Sequence, residues 1–422
     1  MNKFFHPKSI VVAGASADKD KVSNNIIANL LEMRFGGKIF PIGRNGGEVY
    51  GYRIYRSLTE IPQTADLIVI MVPAVGVPDL LEDAGKAGID RAVIISDGFN
   101  ESGAEGIRLA EQIKQIASRY SIRFIGPNCQ GVICLESGVC VPFAPLFRHQ
   151  VKKGGVSIIT QSGSIGWIAA TSLSHEMDGI SKVASIGNKL DVDELELLRY
   201  LIEDPETKII VLHLEGFSDG RKLFEYTRSS KKPIIILKSN ISGKTSQIAL
   251  SHTAALASDD RVSDAAMGQA GMLRAGSLRE MLEMCKALTL PILNGRNVAV
   301  MAGSGGLALI GEDSVLRQGL GMAKLPEDLL RKIAQMGTWK RLNITNPVDL
   351  GGFFNNLDIL DAVESVLSQR EVSGATLSLF RTKEYDSPLT CAELVDQIEG
   401  VCKRHAKPIA LHFVSDFFPW LK

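Results

Sequence analysis

The chain has 422 residues, with 47 Lys plus Arg against 47 Asp plus Glu and therefore no net charge. That length predicts roughly two to four domains, and the balanced charge argues against a large nucleic-acid footprint, which needs a basic excess. No run approaches ~18 uninterrupted apolar residues, so no membrane span is expected.

The start, Met1-Asn2-Lys3-Phe4-Phe5, reads as folded chain rather than a secretory leader. Six scattered cysteines, Cys129, Cys134 and Cys140 among them, lack zinc-ligand spacing. No metal is expected, and the thiols are read as reduced and packed in a cytoplasmic protein.

The first predicted strand is Ser9–Ala13, followed by Gly14-Ala15-Ser16 and a helical pattern through Met33. Strands recur at Lys38–Ile42, Leu67–Val72, Ala92–Ser96 and Arg123–Ile125, with helical patterns at Val77–Ala87 and Ala104–Tyr120. Continuous Val/Ile runs alternating with amphipathic helices indicate a parallel sheet covered on both faces. After the polar stretch Arg148–Lys153 the rhythm resumes with Val156–Thr160, Lys182–Ile186, Lys208–Leu214 and Pro233–Leu237. A third block follows Pro291–Arg296: a strand at Asn297–Met301, the turn Gly303-Ser304-Gly305-Gly306, and strands Ala375–Leu379 and Pro408–Phe413. The fold class is α/β, with three consecutive parallel-sheet domains at 1–148, 149–293 and 294–422.

Ligands of parallel sheets bind at the carboxyl ends of the strands. The first such end, Gly14-Ala15-Ser16-Ala17, is not G-x-G-x-x-G, and the second, Gly43-Arg44, offers no carboxylate to a ribose diol. A basic residue there suits a ribose phosphate, as in CoA or NADP. Two more ends, Val72-Pro73-Ala74 and Gly126-Pro127-Asn128-Cys129-Gln130-Gly131, are unusual, and the Gly-Pro-Asn of the second is either a rigid turn that brings backbone close to a ligand or an ordinary sheet turn. In the second block Gln161-Ser162-Gly163-Ser164-Ile165-Gly166 joins a strand to a helix start, where unpaired N–H groups and the positive dipole end can hold an anion. Downstream of Lys238 and Lys244, Ser251-His252-Thr253-Ala254-Ala255-Leu256 places a histidine among small residues. A neutral imidazole nitrogen is nucleophilic near neutral pH, so His252 is a candidate phosphoryl carrier.

Gly14-Ala15-Ser16, Val72-Pro73-Ala74, Gly126-Pro127-Asn128-Cys129, Gln161-Ser162-Gly163, Gly187-Asn188-Lys189, Leu214-Glu215-Gly216, Ser251-His252-Thr253 and Asn346-Pro347-Val348-Asp349-Leu350 stand in one order along the chain. In that order the chain resembles the NDP-forming acyl-CoA synthetases, most closely the α subunit of ADP-forming acetate–CoA ligase and more distantly succinyl-CoA synthetase.

The resemblance implies a Rossmann-like CoA-binding domain followed by two flavodoxin-like CoA-ligase domains. It implies a reversible reaction in which acyl-CoA and phosphate give an acyl phosphate, a histidine takes the phosphoryl group, and ADP in an ATP-grasp domain receives it. The family's histidine falls on His252 and its orienting acid on Glu215. Ser162, Gly163 and Ser164 match one phosphate-holding helix end, and Gly14, Ala15, Ser16, Arg44, Val72, Pro73, Ala74, Asn128 and Cys129 match the CoA site.

No ATP-grasp block is visible, so the resemblance implies a separate ATP-grasp β subunit that brings ATP or ADP with Mg²⁺, and a hetero-oligomer acting on a small carboxylate or its acyl-CoA. The family's glycines after the histidine are replaced here by Ala254 and Ser258, and the glycine that opens the first helix by Ser23. Those departures keep open a non-catalytic CoA or acyl-CoA binding protein of the same fold. An NADP-dependent oxidoreductase would leave the second and third blocks without a role, and no G-x-S-x-G elbow follows a predicted strand. Trp167 could wall an acyl pocket, with a packed indole the favoured reading, and His175, His213 and His405 are read as structural.

Overall fold

The computed structural model describes residues 1–18, 20–146, 150–177, 179–241, 260–336, 345–351, 355–380 and 388–414. The chain packs as two units, Met1–Lys286 and Ala287–Lys422.

The first unit opens with α1 (Asn2–Phe5), whose Phe4 and Phe5 are fully buried. Then come β1 (Ser9–Ala13), α2 (Asn24–Glu32), β2 (Lys38–Ile42), the hairpin β3 (Gly47–Val49) and β4 (Tyr52–Ile54), β5 (Leu67–Ile70), α3 (Val77–Lys86), β6 (Arg91–Ile94), α4 (Gly103–Tyr120) and β7 (Arg123–Ile125). Five strands form a parallel sheet in the order β2-β1-β5-β6-β7. Every residue of β1 and β5 is buried, which is what apolar runs without alternation require. Each such Val or Ile side chain contributes about 1.5–3 kcal/mol relative to exposure. Helix α4 meets the sheet with Leu109, Ile113 and Ile116, a stripe at helical spacing.

The second sheet is built from β8 (Gly131–Cys134), β9 (Val139–Cys140), β10 (Lys153–Thr160), α5 (Gly163–Glu176), β11 (Ile180–Ser185), α6 (Glu194–Glu203), β12 (Ile209–Leu214), α7 (Gly220–Ser229), β13 (Ile234–Lys238), α8 (Asp260–Gln269), β14 (Leu273–Ala275) and α9 (Leu278–Ala287). Its order is β14-β13-β12-β10-β11-β8-β9. The strands β8 and β9 were not expected. They run antiparallel, with Gly131 opposite Ser185 and Cys134 opposite Lys182, so residues ahead of position 148 complete the second sheet. One buried cluster extends from Ile10 and Val12 through Val132 and Cys134 to Ile159 and Leu212, so both sheets share a core.

The second unit holds β15 (Asn297–Ala302), α10 (Gly305–Arg317), β16 (Gly321–Met322), α11 (Glu327–Met336), β17 (Val348–Asp349), α12 (Asn356–Leu367), β18 (Gly374–Phe380), α13 (Cys391–His405) and β19 (Ile409–Val414). Its sheet runs β16-β15-β18-β19, with the short β17 also paired to β15. Helix α13 starts at a capping box between Thr390 and Glu393.

All three sheets repeat one feature. The first long parallel strand of each (β1, β10, β15) lies between its successor and a later strand. The chain therefore leaves in opposite directions on either side of it, which opens a crevice at the carboxyl ends. The turns Gly14–Ser16, Gln161–Ser164 and Gly303–Gly306 follow these strands. No helix among the described residues is long and apolar enough to cross a membrane.

Candidate functional site

A cleft of about 610 Å³ lies at the carboxyl end of the first sheet. Met71–Pro73 after β5, Ile95–Asp97 after β6 and Asn128–Gln130 after β7 line it, with Lys21–Ser23 ahead of α2 and Phe143. Gln161, Ser162, Gly163 and Ser164, at the start of α5, line the same cleft. Strand ends of the first sheet thus share one cavity with the helix end of the second, and its volume is that of a small-molecule site.

Side chains distant in sequence hold these turns. Gly14 has φ +108°, and a Cβ there would lie 2.1 Å from the Met71 carbonyl oxygen, so the turn after β1 accepts only glycine without displacement. Asn24 accepts from Ser16 N at 3.1 Å and donates to Ser16 O at 2.9 Å and Asp18 O at 2.7 Å. Ser23, where the resemblance leads to an expected glycine, donates to Gly14 O at 2.6 Å, so its hydroxyl is absorbed into the turn. Ser96 donates to Val72 O at 2.6 Å and accepts from Val72 N at 3.2 Å, which fixes the end of β5.

The expected CoA residues divide in two. Val72, Pro73, Asn128 and Cys129 line the cleft, whereas Gly14, Ala15, Ser16, Ala74 and Arg44 are not among its lining residues. Gly14–Ser16 shape the adjoining turn, and Arg44 is exposed on the turn after β2. Among the described residues the cation that lines the cleft is Lys21. Its only signal in the sequence is a lysine placed just ahead of the helix that follows the first glycine turn. Cys129 contributes packing: its thiol donates to Ile94 O at 3.3 Å, and burial pushes it up to about 12. Gln130 Oε1 is buried and has no hydrogen-bond partner among the described residues, an acceptor that an N–H donor of a bound ligand would satisfy.

Helix α5 begins at Gly163, and Ser162 just ahead of it makes no side-chain cap; its hydroxyl lies 3.1 Å from Ser164 Oγ instead. Among the described residues, the N–H groups of this first turn therefore lack the side-chain acceptor that a cap normally supplies. Beside it, Gln161 is buried and its Oε1 accepts from Glu215 N at 2.6 Å and Gly216 N at 3.1 Å. Glu215, at the end of β12, is half-buried. The small-residue turn ahead of α5 and the expected orienting acid are joined by this one amide. Its role could not be read from sequence, because 54 residues separate Gln161 from Glu215.

His213 is structural: it is buried between Thr160 Oγ1 at 3.2 Å and Ser239 Oγ at 2.9 Å, and burial lowers its pKa. His405 pairs with Glu364 at 2.6 Å. His252, Ala254 and Ser258 lie outside the described residues. Trp167 is absent from the cleft lining and packs against the core of the second sheet. Among the described residues one group of metal-capable side chains comes together, His6, Cys134 and Glu136, with donor atoms within 4.8 Å of one another. The His6–Glu136 distance of 4.0 Å exceeds the roughly 3.4 Å between nitrogen and oxygen ligands of a tetrahedral zinc, so the group is wider than a filled site.

The CoA binding domain family matches residues 8–134, and the succinyl-CoA ligase like flavodoxin domain matches residues 153–288. The chain is 35% identical over 405 residues to the α subunit of ADP-forming acetate–CoA ligase I of Pyrococcus furiosus, which covers 94% of this chain and 86% of the relative. It is 37% identical over 352 residues to the α subunit of ligase II of the same organism, covering 83% and 76%. The structure of dinucleotide forming acetyl-coenzyme A synthetase 1 of Ca. Korarchaeum cryptofilum, solved with phosphate and ADP, superposes with a TM-score of 0.84 at 29% identity, covering all of this chain and 89% of that one.

Proposed function

The chain belongs to the NDP-forming acyl-CoA synthetase family, and on that premise we propose that it is the α-type subunit of an ADP-forming acyl-CoA ligase. It interconverts acyl-CoA, phosphate and ADP with carboxylate, CoA and ATP. The observation that carries this reading is the cleft of about 610 Å³, in which strand ends of a CoA-binding sheet and the uncapped start of α5 face one space. A non-catalytic CoA binder would have no need of an open anion site beside its CoA cleft.

The reading assigns CoA to residues 1–148, phosphoryl transfer to 149–293 and the second ligase domain to 294–422. Residues Val72, Pro73, Asn128 and Cys129 form the CoA wall, Gly14–Ser16 and Ala74 its adjoining turns, and Arg44 reaches a ribose phosphate from the end of β2. Lys21 meets the phosphates at the mouth. Phosphate attacks the thioester carbonyl, the C–S bond breaks, and acyl phosphate remains beside α5. The N–H groups of Ser162–Ser164 hold its developing charge. His252 then forms a bond to phosphorus as the carboxylate leaves. Glu215 orients the imidazole, fixing its tautomer and raising the nucleophilicity of the other nitrogen. A separate ATP-grasp subunit supplies ADP with Mg²⁺ and receives the phosphoryl group.

The deciding experiment uses labelled phosphoryl donor and the variant His252→Asn. Wild-type protein should take up label that mild acid removes and base does not, and the variant should take up none while still binding CoA. Acid-labile label on His252→Asn would overturn the carrier assignment. Calorimetry tests the CoA residues. Lys21→Ala should weaken CoA and dephospho-CoA alike by about two- to fivefold, an exposed charge's usual worth. Arg44→Ala should weaken CoA alone, and equal loss for both ligands would remove Arg44 from the 3′-phosphate.

A further inference from the structure

The segment Gly187-Asn188-Lys189 connects the CoA cleft to the loop that carries Glu215. Its first end is seated on the cleft turn. Gly187 has φ +52°, and a Cβ there would lie 2.2 Å from Asn128 O. Asn188 N donates to Pro127 O at 3.0 Å, and the Asn188 amide accepts from Asn128 Nδ2 at 3.4 Å and donates to Glu101 Oε2 at 2.5 Å. Its other end is Lys189, whose Nζ donates to Gly216 O at 2.8 Å and to Glu194 Oε2 at 2.8 Å.

Glu194 is completely buried, although it opens α6, where a glutamate ordinarily gains from the helix dipole while exposed. Its carboxylate accepts from Ser218 N at 2.5 Å and from Ser218 Oγ at 3.0 Å. Together with Gln161, which takes the Glu215 and Gly216 N–H groups, the pair holds backbone groups of Glu215, Gly216 and Ser218. A buried ion pair gives little net stability, since desolvation offsets its attraction. What this pair secures is the position of the four-residue loop from 215 to 218.

We propose that Lys189 and Glu194 are positioning residues for phosphoryl transfer: through Gly216 and Ser218 they fix the loop that carries Glu215. The proposal rests on the assignment of Glu215 as the orienting acid. It also gives the Gly187–Lys189 turn a task, because the same three residues grip the CoA cleft at one end and the acid's loop at the other.

A double-mutant cycle tests it, read by rapid-quench uptake of labelled phosphate from acetyl phosphate by the full-length chain. Lys189→Met should slow uptake by about 10- to 100-fold, the cost of a misplacement near 1 Å, with CoA affinity unchanged by calorimetry. Ser218→Ala, which removes only one hydrogen bond to the same carboxylate, should slow it by about two- to fivefold and serves if Lys189→Met does not fold. In a Glu215→Gln background either change should add little, because the group being positioned is gone. Full, independent losses in that background overturn the positioning role and leave Glu215 in place. Uptake unchanged in Glu215→Gln alone overturns the Glu215 assignment and the clamp with it. Loss of CoA affinity in step with uptake would reduce Lys189 to a structural support of the cleft.

Discussion

Helices α5, α6 and α7 all spring from the carboxyl ends of parallel strands in one sheet, yet they begin differently. At α6, Asp193 accepts from Leu195 N at 2.9 Å and Glu196 N at 3.1 Å. At α7, Asp219 accepts from Arg221 N and Lys222 N, both at 3.0 Å. At α5, Ser162 caps nothing. A cap is worth about 1 kcal/mol, and α5 forgoes it at the strand where the sheet's connections diverge, the crevice in which doubly wound sheets bind ligands. On the proposed reading, the difference teaches that an anion site is made here by withholding a carboxylate. An aspartate at the same place would satisfy the N–H groups and repel an incoming anion.

The strongest way to break this comparison is to give α5 its neighbours' cap. Ser162→Asp should leave stability unchanged or raise it by about 1 kcal/mol. It should lower phosphoryl uptake by about 10²–10³-fold, the cost of losing preorganised N–H donors to a developing anion. Urea unfolding and acid-labile label measure the two sides; undiminished uptake would remove α5 from the reaction. The reverse change, Asp193→Ala, should cost about 1 kcal/mol in unfolding free energy, with CoA affinity unaltered by calorimetry. A loss of CoA binding there would mean that α6 is more than scaffold.

The smallest effect concerns pH. Hydrogen bonds from the backbone N–H groups of Lys222 and Arg221 hold the Asp219 carboxyl below the usual carboxylate range. A depressed carboxyl adds stability above its unfolded value, about 3.9, and that stability is lost as pH falls through the folded value. Asp219→Asn keeps a cap without the titration. The stability difference between wild type and variant should therefore shrink below about pH 4, followed by thermal unfolding across acid buffers. A difference that stayed constant would show that the charge contributes nothing at α7.

Local pattern made most of the fold legible. The strands Ser9–Ala13, Lys38–Ile42 and Arg123–Ile125 occupy the residues that their apolar runs predict. Others, such as Leu67–Ile70, end short of the run because Met71 and Val72 turn into the cleft. The hairpin at 131–140 escaped because Gly131-Val132-Ile133-Cys134 is too short to separate from the cleft turn before it, and its strand character comes from pairing with β11. Leu273–Ala275 is shorter still and is a strand only beside β13.

Of the candidate site, the pieces were visible and their assembly was not. By itself the sequence determined the α/β class, the glycine turn at Gly14, the small-residue helix start at Ser162–Ser164 and the strand-end position of Glu215, because each depends on residues a few places apart. The tertiary structure decided that Lys21 rather than Arg44 lines the cleft, that Ser96 holds Val72, that Gln161 and Lys189 grip the Glu215 loop from two sides, and that Cys129 is turned inward to Ile94. Those contacts join positions 24, 54, 27 and 35 residues apart where they are hydrogen bonds. Periodicity and capping act over one or two turns of chain, whereas a side chain's partner is chosen by which strands lie side by side, and strand order is a property of the packed sheet.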